Sequence, residues 1–383
     1  MKLKILIALI ILLATFMFLP FGRYPALDDV RFDMVDALVR TKSHILSNYS
    51  HRNLSRKMNS PAPQWIQTRI TSDLDYLSKK PITSKTLGDY MDQFSLQKLK
   101  NELLIIRCTL KNGEWHYFPK TLNRFRGRLT AIQIALDILN KEGLLPDHLD
   151  FILCINDKIF EAYKGDVPIF VFSKDTRTPE AKNLILIPDG MNLSRWAYVY
   201  PTICFANKVF PWTSKKDQVL WRGSNTNPIR LHASSTLRKN LTFLDAALTS
   251  GRDNAYMIPE NQIQSKYLLS LDGISSTWPG LLWKLASNCL VLKQDSTHIQ
   301  WYYDALHPYA HFVPVRQDLS DLQQRYHWIQ TNSHEVKSIR YNAQKFIQEN
   351  LMYEDMLHYM ARVFREYKNV SKNPVLKAPQ VFD

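Results

Sequence analysis

Polar side chains follow apolar, strand-like runs at four places in the chain, and each cluster could carry chemistry. In open α/β sheets ligands bind beyond the carboxyl ends of the strands, so residues at these positions are the first candidates for a site. The four clusters are Asn156 to Asp157, Trp221 to Thr226, Asp272 to Trp278 and Lys293 to Ser296. Their repetition at successive strand ends indicates one shared cleft.

Asp157 is the residue that could act as a general base in this cleft. A carboxylate at the mouth of an apolar strand can reach a substrate hydroxyl and accept its proton. Taken alone, an aspartate after a strand is more often a turn residue or a helix N-cap. Only its neighbours at the other strand ends make this residue a catalytic candidate.

Two clusters have the composition of a phosphate site. Arg222 offers charge, Gly223 lets the backbone approach a ligand and Ser224 adds a hydroxyl, a set that suits a diphosphate. The third cluster would open a helix, whose amide-rich N-terminus could hold a phosphate or be an ordinary cap. The fourth cluster begins with Lys293, which could contact a base or a ribose. Candidate residues in the third cluster are Gly273, Ile274, Ser275, Ser276, Thr277 and Trp278.

The elements that must position these residues follow an α/β rhythm. Two strand-like runs flank Asn112-Gly113 and predict a β-hairpin over 103–118. A helical pattern at 129–139 precedes three strands, and after Pro201 the pattern restarts. The sequence therefore predicts two successive α/β units. Predicted strands end near residues 154, 173, 189, 224, 272, 293 and 315, with helices at 278–286 and across 318–367.

An apolar run from Ile5 to Pro20 follows Lys2 and Lys4 and precedes Arg23. No small-residue cleavage site follows the run, so the sequence favours an uncleaved signal anchor over a removed signal peptide. Basic residues flank both ends, so the positive-inside rule leaves the topology open. The anchor is expected to be followed by polar-faced helices that break near residues 60–63 and 81.

Composition restricts the class of partner. A formal net charge of +14 favours a phosphate-bearing or anionic partner, although a dispersed basic surface gives the same sum. Nucleic acid is not expected, because no dense Lys/Arg run, zinc pattern or recognised nucleic-acid motif is present. The four cysteines stand singly in apolar runs, which indicates buried thiols, with long-range bridges as the alternative.

A further set of residues, taken in chain order, forms one pattern. Its parts are Leu145–Asp157, Pro168–Lys174, Arg222–Ser224, Gly273, Leu285–Asn288, Val291–Lys293, Tyr302–Tyr303, Leu306, Pro308–Tyr309 and His311–Val315. This pattern resembles the CAP10 domain, that is, glycosyltransferase family 90, which includes Rumi-type protein O-glucosyltransferases, fungal capsule xylosyltransferases and bacterial lipopolysaccharide-modifying enzymes. The resemblance spans roughly Phe118 to Tyr367 and leaves the leading helices outside it.

The resemblance implies an α/β fold of the GT-B type, with two Rossmann-like domains that face each other across a cleft. An N-terminal transmembrane anchor and a helical stem would precede them. The predicted organisation is a signal anchor at 1–22, a helical stem or cap at 23–100, an N-terminal Rossmann-like acceptor domain at 101–200, a C-terminal nucleotide-sugar-binding domain with C-terminal helices at 201–370 and a tail at 371–383.

The resemblance also implies roles for single residues. In the family an aspartate that closes a strand of the N-terminal domain deprotonates the acceptor, and the matching position is Asp157. Donor contacts fall on Arg124, whose spacing to Gly127 fits the family turn, and on Lys216 and Arg222. The loop around the donor's diphosphate and sugar falls on Ile274 to Trp278.

Pro279 departs from the family pattern at the end of the donor loop. Many members carry an arginine at the end of the donor loop where this chain has Pro279, which leaves Arg222 and Lys284 to neutralise the diphosphate. The segment from Asp189 to Trp196 is expected to be a loop on the acceptor side, with these two residues as candidate contacts.

The implied function is inverting, metal-independent transfer of a hexose or pentose, glucose or xylose foremost, from a UDP-sugar to a hydroxyl of a glycan, lipopolysaccharide or protein. No cofactor or metal is expected. The alternative is a membrane-tethered, inactive glycan-binding protein of the same fold. The disulfide pattern of animal members is absent, which favours a bacterial envelope enzyme at the inner membrane over one in the eukaryotic secretory lumen.

Overall fold

A computed structural model describes residues 51–80, 82–157, 166–251, 253–276 and 279–371. The predicted anchor, Thr277, Trp278 and nearly all of the predicted tail lie outside the described residues. Within the described ranges, no helix is both long enough and apolar enough to cross a membrane. The predicted α/β class is confirmed, since the chain builds two five-stranded sheets with helices between the strands.

The first sheet is mixed rather than fully parallel. Its strand order is β2-β1-β3-β4-β6, in which β3, β4 and β6 run parallel and β1 pairs antiparallel with both β2 and β3. The predicted hairpin is confirmed, because Asn112 and Gly113 take φ values of 52° and 78° in a two-residue turn, which can join only antiparallel strands. This edge departs from a Rossmann-like sheet. The first six strands are β1 Ile105–Lys111, β2 Glu114–Phe118, β3 Leu149–Cys154, β4 Ile169–Val171, β5 Lys174–Asp175 and β6 Leu184–Leu186.

The second sheet is parallel throughout, in the order β12-β10-β9-β7-β8. Its central strands are buried apolar runs, as expected where helices cover both faces. The edge strand β8 was not predicted, since its sequence Leu-Asp-Ala-Ala-Leu lacks β-branched residues. The last six strands are β7 Lys216–Gly223, β8 Leu244–Leu248, β9 Ser265–Ser270, β10 Leu290–Gln294, β11 His298–Ile299 and β12 Val313–Val315.

Eight helices of seven or more residues have described bounds. They are α1 Gln64–Lys79, α2 Ser84–Met91, α3 Arg126–Lys141, α4 Gly190–Val209, α5 Gly280–Ala286, α6 Leu322–Thr331, α7 Ser333–Asn350 and α8 Tyr353–Val370. Residues 51–58 are also helical. Short helical turns occupy Leu96–Lys98, Leu99–Leu103, Pro179–Asn183, Trp212–Ser214, Pro228–His232, Ala233–Leu237, Arg238–Asn240, Pro259–Gln262 and Tyr303–Ala305.

The leading and closing helices both pack on the first half of the molecule. One face of α1 buries Ile66, Ile70 and Leu74 at helical spacing. At the other end of the chain, the α8 ring of Phe364 lies 4.8 Å from that of Phe151 on β3. The sequence assigned α8 to the second domain, but the helix crosses back and covers the first sheet. The described part of the predicted stem likewise belongs to the main core.

A two-stranded ribbon joins the two sheets. β5 follows β4 of the first sheet, β11 follows β10 of the second, and the two short strands pair antiparallel through His298 and Asp175. Both lie just beyond the carboxyl end of a parallel strand. The ribbon therefore holds the carboxyl edges of the two sheets side by side, which is the position expected for a ligand site.

Candidate active site

Arg230 ties together two loops at the carboxyl end of the second sheet. Its guanidinium donates to the backbone oxygens of Asp272 at 2.7 Å, Leu271 at 2.9 Å and Ser224 at 3.1 Å. The helical segment that carries it begins where the Asn227 side chain accepts from the Ile229 backbone N–H, and Asn227 Nδ2 donates to the Gly273 oxygen at 2.9 Å. The predicted clusters after β7 and β9 are thus brought together.

Two glycines are required by close approach in these loops. A Cβ on Gly273 would lie 3.1 Å from Thr226 Oγ1 and 3.2 Å from Arg230 Nη2. A Cβ on Gly223 would lie 2.5 Å from a ring atom of Trp221, which no real side chain tolerates. The sequence predicted that Gly223 lets the backbone approach a ligand, whereas the groups that approach both glycines here are protein side chains.

Lys284 is a buried cation beside the same loops. It lies on α5, directly after the predicted donor loop, and is 4% exposed. Burial, together with the smaller effect of the charge of nearby Arg230, lowers the pKa of its ammonium to about 7. Among the described residues no carboxylate lies within ion-pair distance of Nζ. Because burying a charge without a counter-ion is costly, this lysine is the strongest indication of an anion site in the second half.

The structure corrects the predicted role of Arg222. Its guanidinium turns toward the neighbouring strand β8 and donates to Asp245 Oδ2 at 2.8 Å, to the Asp245 backbone oxygen at 2.8 Å and to the Trp221 oxygen at 2.9 Å. The side chain is 8% exposed. Arg222 therefore holds β7 to β8, while Arg230 and Lys284 supply the positive charge at the strand ends.

Lys216 is corrected as a donor contact by its place in the sheet. It is the first residue of β7, paired with Ser265 at the start of β9. Arg222 lies six residues later, and at roughly 3.3 Å per residue the two are about 20 Å apart along the strand. Lys216 therefore sits at the amino edge of the sheet, opposite to the edge that forms the site.

The remaining donor-side candidates lie along the carboxyl edge. Lys293 on β10 places its ammonium 4.9 Å from the centre of the Tyr303 ring, and burial lowers its pKa while the charge of Asp272 opposes the change. Asp272 Oδ2 is also 4.0 Å from His298 Nδ1 of the ribbon. Ser275 and Ser276 are buried in the loop, whereas Ser224 and Ile274 are exposed.

Asp157 lies three residues beyond the end of β3 at the carboxyl edge of the first sheet. Arg128 on α3 donates to both of its oxygens, from Nη1 to Oδ1 at 3.0 Å and from Nη2 to Oδ2 at 3.4 Å. Arg124 stands at the same corner, since its guanidinium and that of Arg128 contact the Phe125 ring at 5.2 and 3.9 Å. Arg124 is thus placed near the candidate base rather than among the second-sheet loops.

The predicted acceptor loop is instead the start of a helix. Asp189 is the N-cap of α4, is fully buried, and accepts from the backbone N–H groups of Met191 and Asn192. Trp196 is 2% exposed. Both residues serve the packing of α4, so neither presents a surface to an acceptor. The low helix propensity of glycine and asparagine at the start of this segment explains the wrong prediction.

Sequence reasoning missed Arg230 and Arg128. Arg230 could have been found, since Asn227-Pro228 is a helix-start signature that places it in the first turn directly after the Arg-Gly-Ser cluster. Arg128 carries no such signal, because its partner is 29 residues away in sequence.

Within the described residues, no group of three His, Cys, Asp or Glu side chains could hold a metal ion. No disulfide joins the four cysteines, all of which lie in the described ranges, and three of them are buried.

The chain matches a known protein family over most of its length. The family model described as glycosyl transferase family 90 matches residues 59–381, which extends the resemblance back over α1 and α2. Protein O-glucosyltransferase 2 of Danio rerio is 30% identical over 288 residues, which cover 71% of this chain and 57% of the relative. Human protein O-glucosyltransferase 3 is 24% identical over 323 residues, 76% of this chain and 61% of the relative. The chain thus spans only about three fifths of the length of these two relatives.

Two solved structures align with this chain at low similarity. A crystal structure of Anabaena Alr3699/HepE in complex with UDP aligns over 52% of this chain and 72% of its own, with a TM-score of 0.31 and 10% identity. A glycosyltransferase from Rickettsia africae aligns over 54% of this chain and 65% of its own, with a TM-score of 0.33 and 11% identity.

Proposed function

Since the chain belongs to glycosyl transferase family 90, we propose that it transfers a hexose or pentose, glucose or xylose foremost, from a UDP-sugar to a hydroxyl of a glycan, lipopolysaccharide or protein. The transfer inverts the anomeric centre and uses no metal. The proposed architecture is of the GT-B type, with the donor on the second sheet and the acceptor on the first. The observation that carries the proposal is the pair of cations at the donor-side strand ends, the buried Lys284 and the half-buried Arg230.

Electrostatics support a diphosphate at this pair. Lys284 is buried beside Arg230 and has no carboxylate partner among the described residues, so an anion that bound there would relieve an unpaired charge. A leaving diphosphate develops negative charge as the sugar bond breaks, and fixed positive charge in a dry site stabilises that transition state. Arg230 and Lys284 would supply the positive charge that many family members carry on an arginine at the position of Pro279.

On the acceptor side, Asp157 is the proposed general base. The acceptor oxygen attacks the anomeric carbon while the bond from that carbon to the phosphate oxygen breaks. The hydroxyl proton passes to Asp157, and UDP leaves with the bonding electrons. The base and the phosphate-binding cations stand on opposite sheets, so attack and departure take place on opposite faces of the sugar, as inversion requires.

The proposed setting is a bacterial envelope, with the chain held at the inner membrane by its N-terminal apolar run and with no nucleic-acid partner. The secretory lumen of a eukaryote is the alternative. The names of the curated relatives, protein O-glucosyltransferases, favour glucose and a protein acceptor within this proposal.

UDP release from a panel of UDP-sugars tests the function. The purified chain is expected to release UDP from at least one of UDP-glucose, UDP-xylose and UDP-galactose, and Asp157→Asn is expected to abolish release while UDP affinity stays within about twofold. Full activity of Asp157→Asn would remove Asp157 from its role. UDP binding without release from any donor would favour the inactive glycan-binding alternative.

A further inference from the structure

Asp157 is bound by the side chain of Arg128, which also contacts a backbone carbonyl and an aromatic ring. Besides both carboxylate oxygens of Asp157, Arg128 Nη1 donates to the backbone oxygen of Ile155 at 3.1 Å. Its guanidinium also packs 3.9 Å from the centre of the Phe125 ring. A guanidinium held against a ring and a carbonyl has little freedom, so it fixes the plane of the carboxylate it binds.

The backbone beneath this contact is equally constrained. Phe125 caps α3 with a φ of 57°, a left-handed conformation that is uncommon for a residue with a side chain, and this places its ring under Arg128. Helix α4 packs so closely on the start of α3 that a Cβ on Gly190 would lie 2.5 Å from the Arg128 backbone oxygen. The position of Arg128 is therefore set by two elements of the first domain.

The charges around Asp157 come from few groups among the described residues. Helix α3 contributes Arg128, the turn before it contributes Arg124, and the start of α4 contributes the buried Asp189, which interacts electrostatically with Arg128. The segment before β1 contributes the Glu102 backbone oxygen, which accepts from Asn156 Nδ2 at 2.7 Å. Arg128 is thus shared between Asp157, which it bonds directly, and Asp189, which lies behind it.

We propose that Arg128 is the positioning residue of the catalytic base: it orients the Asp157 carboxylate toward the acceptor hydroxyl without taking part in the reaction. An ionised carboxylate has about four lone-pair sites, and the two bonds from Arg128 leave the others for a substrate. The proposal rests on the proposed function, in which Asp157 is the base. It adds a residue outside the donor contacts and acceptor residues inferred from the sequence.

The test compares Arg128→Met with the matched control Arg126→Met. Arg126 lies on the same helical turn, is exposed, and uses Nε to bond the Leu122 backbone oxygen. UDP release is measured with the UDP-sugar that supports the fastest turnover. We expect kcat of Arg128→Met to fall about 100-fold with donor KM nearly unchanged, because a displaced base costs catalysis and not donor binding. Arg126→Met is expected to keep wild-type kinetics.

Two further readouts separate positioning from simple loss of structure. Arg128→Lys should recover part of kcat through a single ion pair, and added guanidinium at millimolar concentration should recover part of the activity of Arg128→Met. UDP affinity of all Arg128 variants should match the wild type, and each variant should remain folded at the assay temperature, although loss of the ion pair lowers its melting temperature. The double variant Arg128→Met with Asp157→Asn should be no slower than Asp157→Asn alone, since both act through one group.

The possible outcomes separate failure of the Arg128 proposal from failure of the assignment of Asp157 as the base. If Asp157→Asn is inactive but Arg128→Met keeps at least half of the wild-type kcat, the positioning role is overturned and the base assignment stands. If Arg128→Met loses UDP affinity by the same factor as kcat, or is unfolded at the assay temperature, its role is structural and the proposal also fails. If Asp157→Asn itself remains active, the base assignment falls and the proposal falls with it.

Discussion

Two lysines of this protein are almost equally buried but have opposite surroundings. Lys174, which follows β4, is 5% exposed, and its ammonium donates to Asp73 Oδ1 at 2.6 Å and to the backbone oxygens of Ala181 and Leu184 at 3.1 and 3.0 Å. Lys284 is 4% exposed and faces Arg230. Burial alone therefore does not mark a site. A buried charge whose donors are all satisfied belongs to the fold, and one that lacks a counter-ion indicates a ligand.

The satisfied lysine is part of a network that joins α1 to the first sheet. Asp73 accepts from Lys174, from Arg69 at 2.6 Å and from the backbone N–H of Leu186 at 2.9 Å. Arg69 also pairs with Asp304 at 2.9 Å, beyond the ribbon. These bonds fix the leading helix to both halves of the molecule. The comparison between the two lysines leads to predictions of opposite sign.

The largest expected effect is on stability at the satisfied lysine. Lys174→Met leaves Asp73 with one cation fewer in a buried site and is expected to lower the free energy of unfolding by about 3 kcal/mol or more. Urea unfolding measures it. A loss below about 1 kcal/mol would show that the network around Asp73 does not stabilise the fold. The contrast between Lys174 and Lys284 would then not hold.

The next effect is on ligand binding at the unsatisfied lysine. Lys284→Met is expected to weaken UDP-glucose binding by about 2 kcal/mol, roughly 30-fold, because one charged hydrogen bond to the diphosphate is lost. Calorimetry with the Asp157→Asn chain, which does not consume the donor, measures it. Lys284→Arg is the charge-preserving control. Equal donor affinity in the methionine variant would place the diphosphate elsewhere.

A smaller effect of the same substitution distinguishes the two lysines most clearly. Burial lowers the pKa of Lys284 from 10.5 to about 7, so between these pH values the unfolded chain binds more protons than the folded one. The lysine therefore destabilises the fold fully below pH 7 and progressively less as the pH rises toward 10.5.

Lys284→Met should accordingly raise the free energy of unfolding by at least about 1 kcal/mol at pH 6, with a gain that shrinks above pH 7. Urea unfolding at several pH values checks both the sign and the trend. A loss of stability in this variant would mean that the ammonium is satisfied within the fold, as it is at Lys174.

The sequence predicted much of the fold and part of the site. The hairpin at Asn112-Gly113 and the strand ends before Asp157, Ser224 and Gly273 follow from local turn chemistry and apolar runs, and all are confirmed. The side to which Arg222 turns depends on which strand lies beside β7, and that strand, β8, has no clear local signature.

The features that the sequence did not predict depend on residues that are distant from one another in the chain. Arg128 meets Asp157 only after β3 and α3 have packed, and the shortage of counter-ions at Lys284 is a property of its surroundings rather than of its type. The starting segment of α4 was taken for a loop because Gly190 and Asn192 are weak helix formers, whereas tertiary packing decides that helix.

Proton uptake on donor binding tests the central claim most directly. UDP-glucose carries no titrating phosphate near neutral pH, so calorimetry of its binding to the Asp157→Asn chain at pH 7, in buffers of different ionisation enthalpy, reports protonation of the protein. Burial lowers the pKa of Lys284 to about 7, so the partly neutral lysine should take up a fraction of a proton when it meets a diphosphate, and Lys284→Arg should abolish the uptake. Binding without proton uptake, or no binding at all, would contradict the claim that Lys284 binds the diphosphate of the donor.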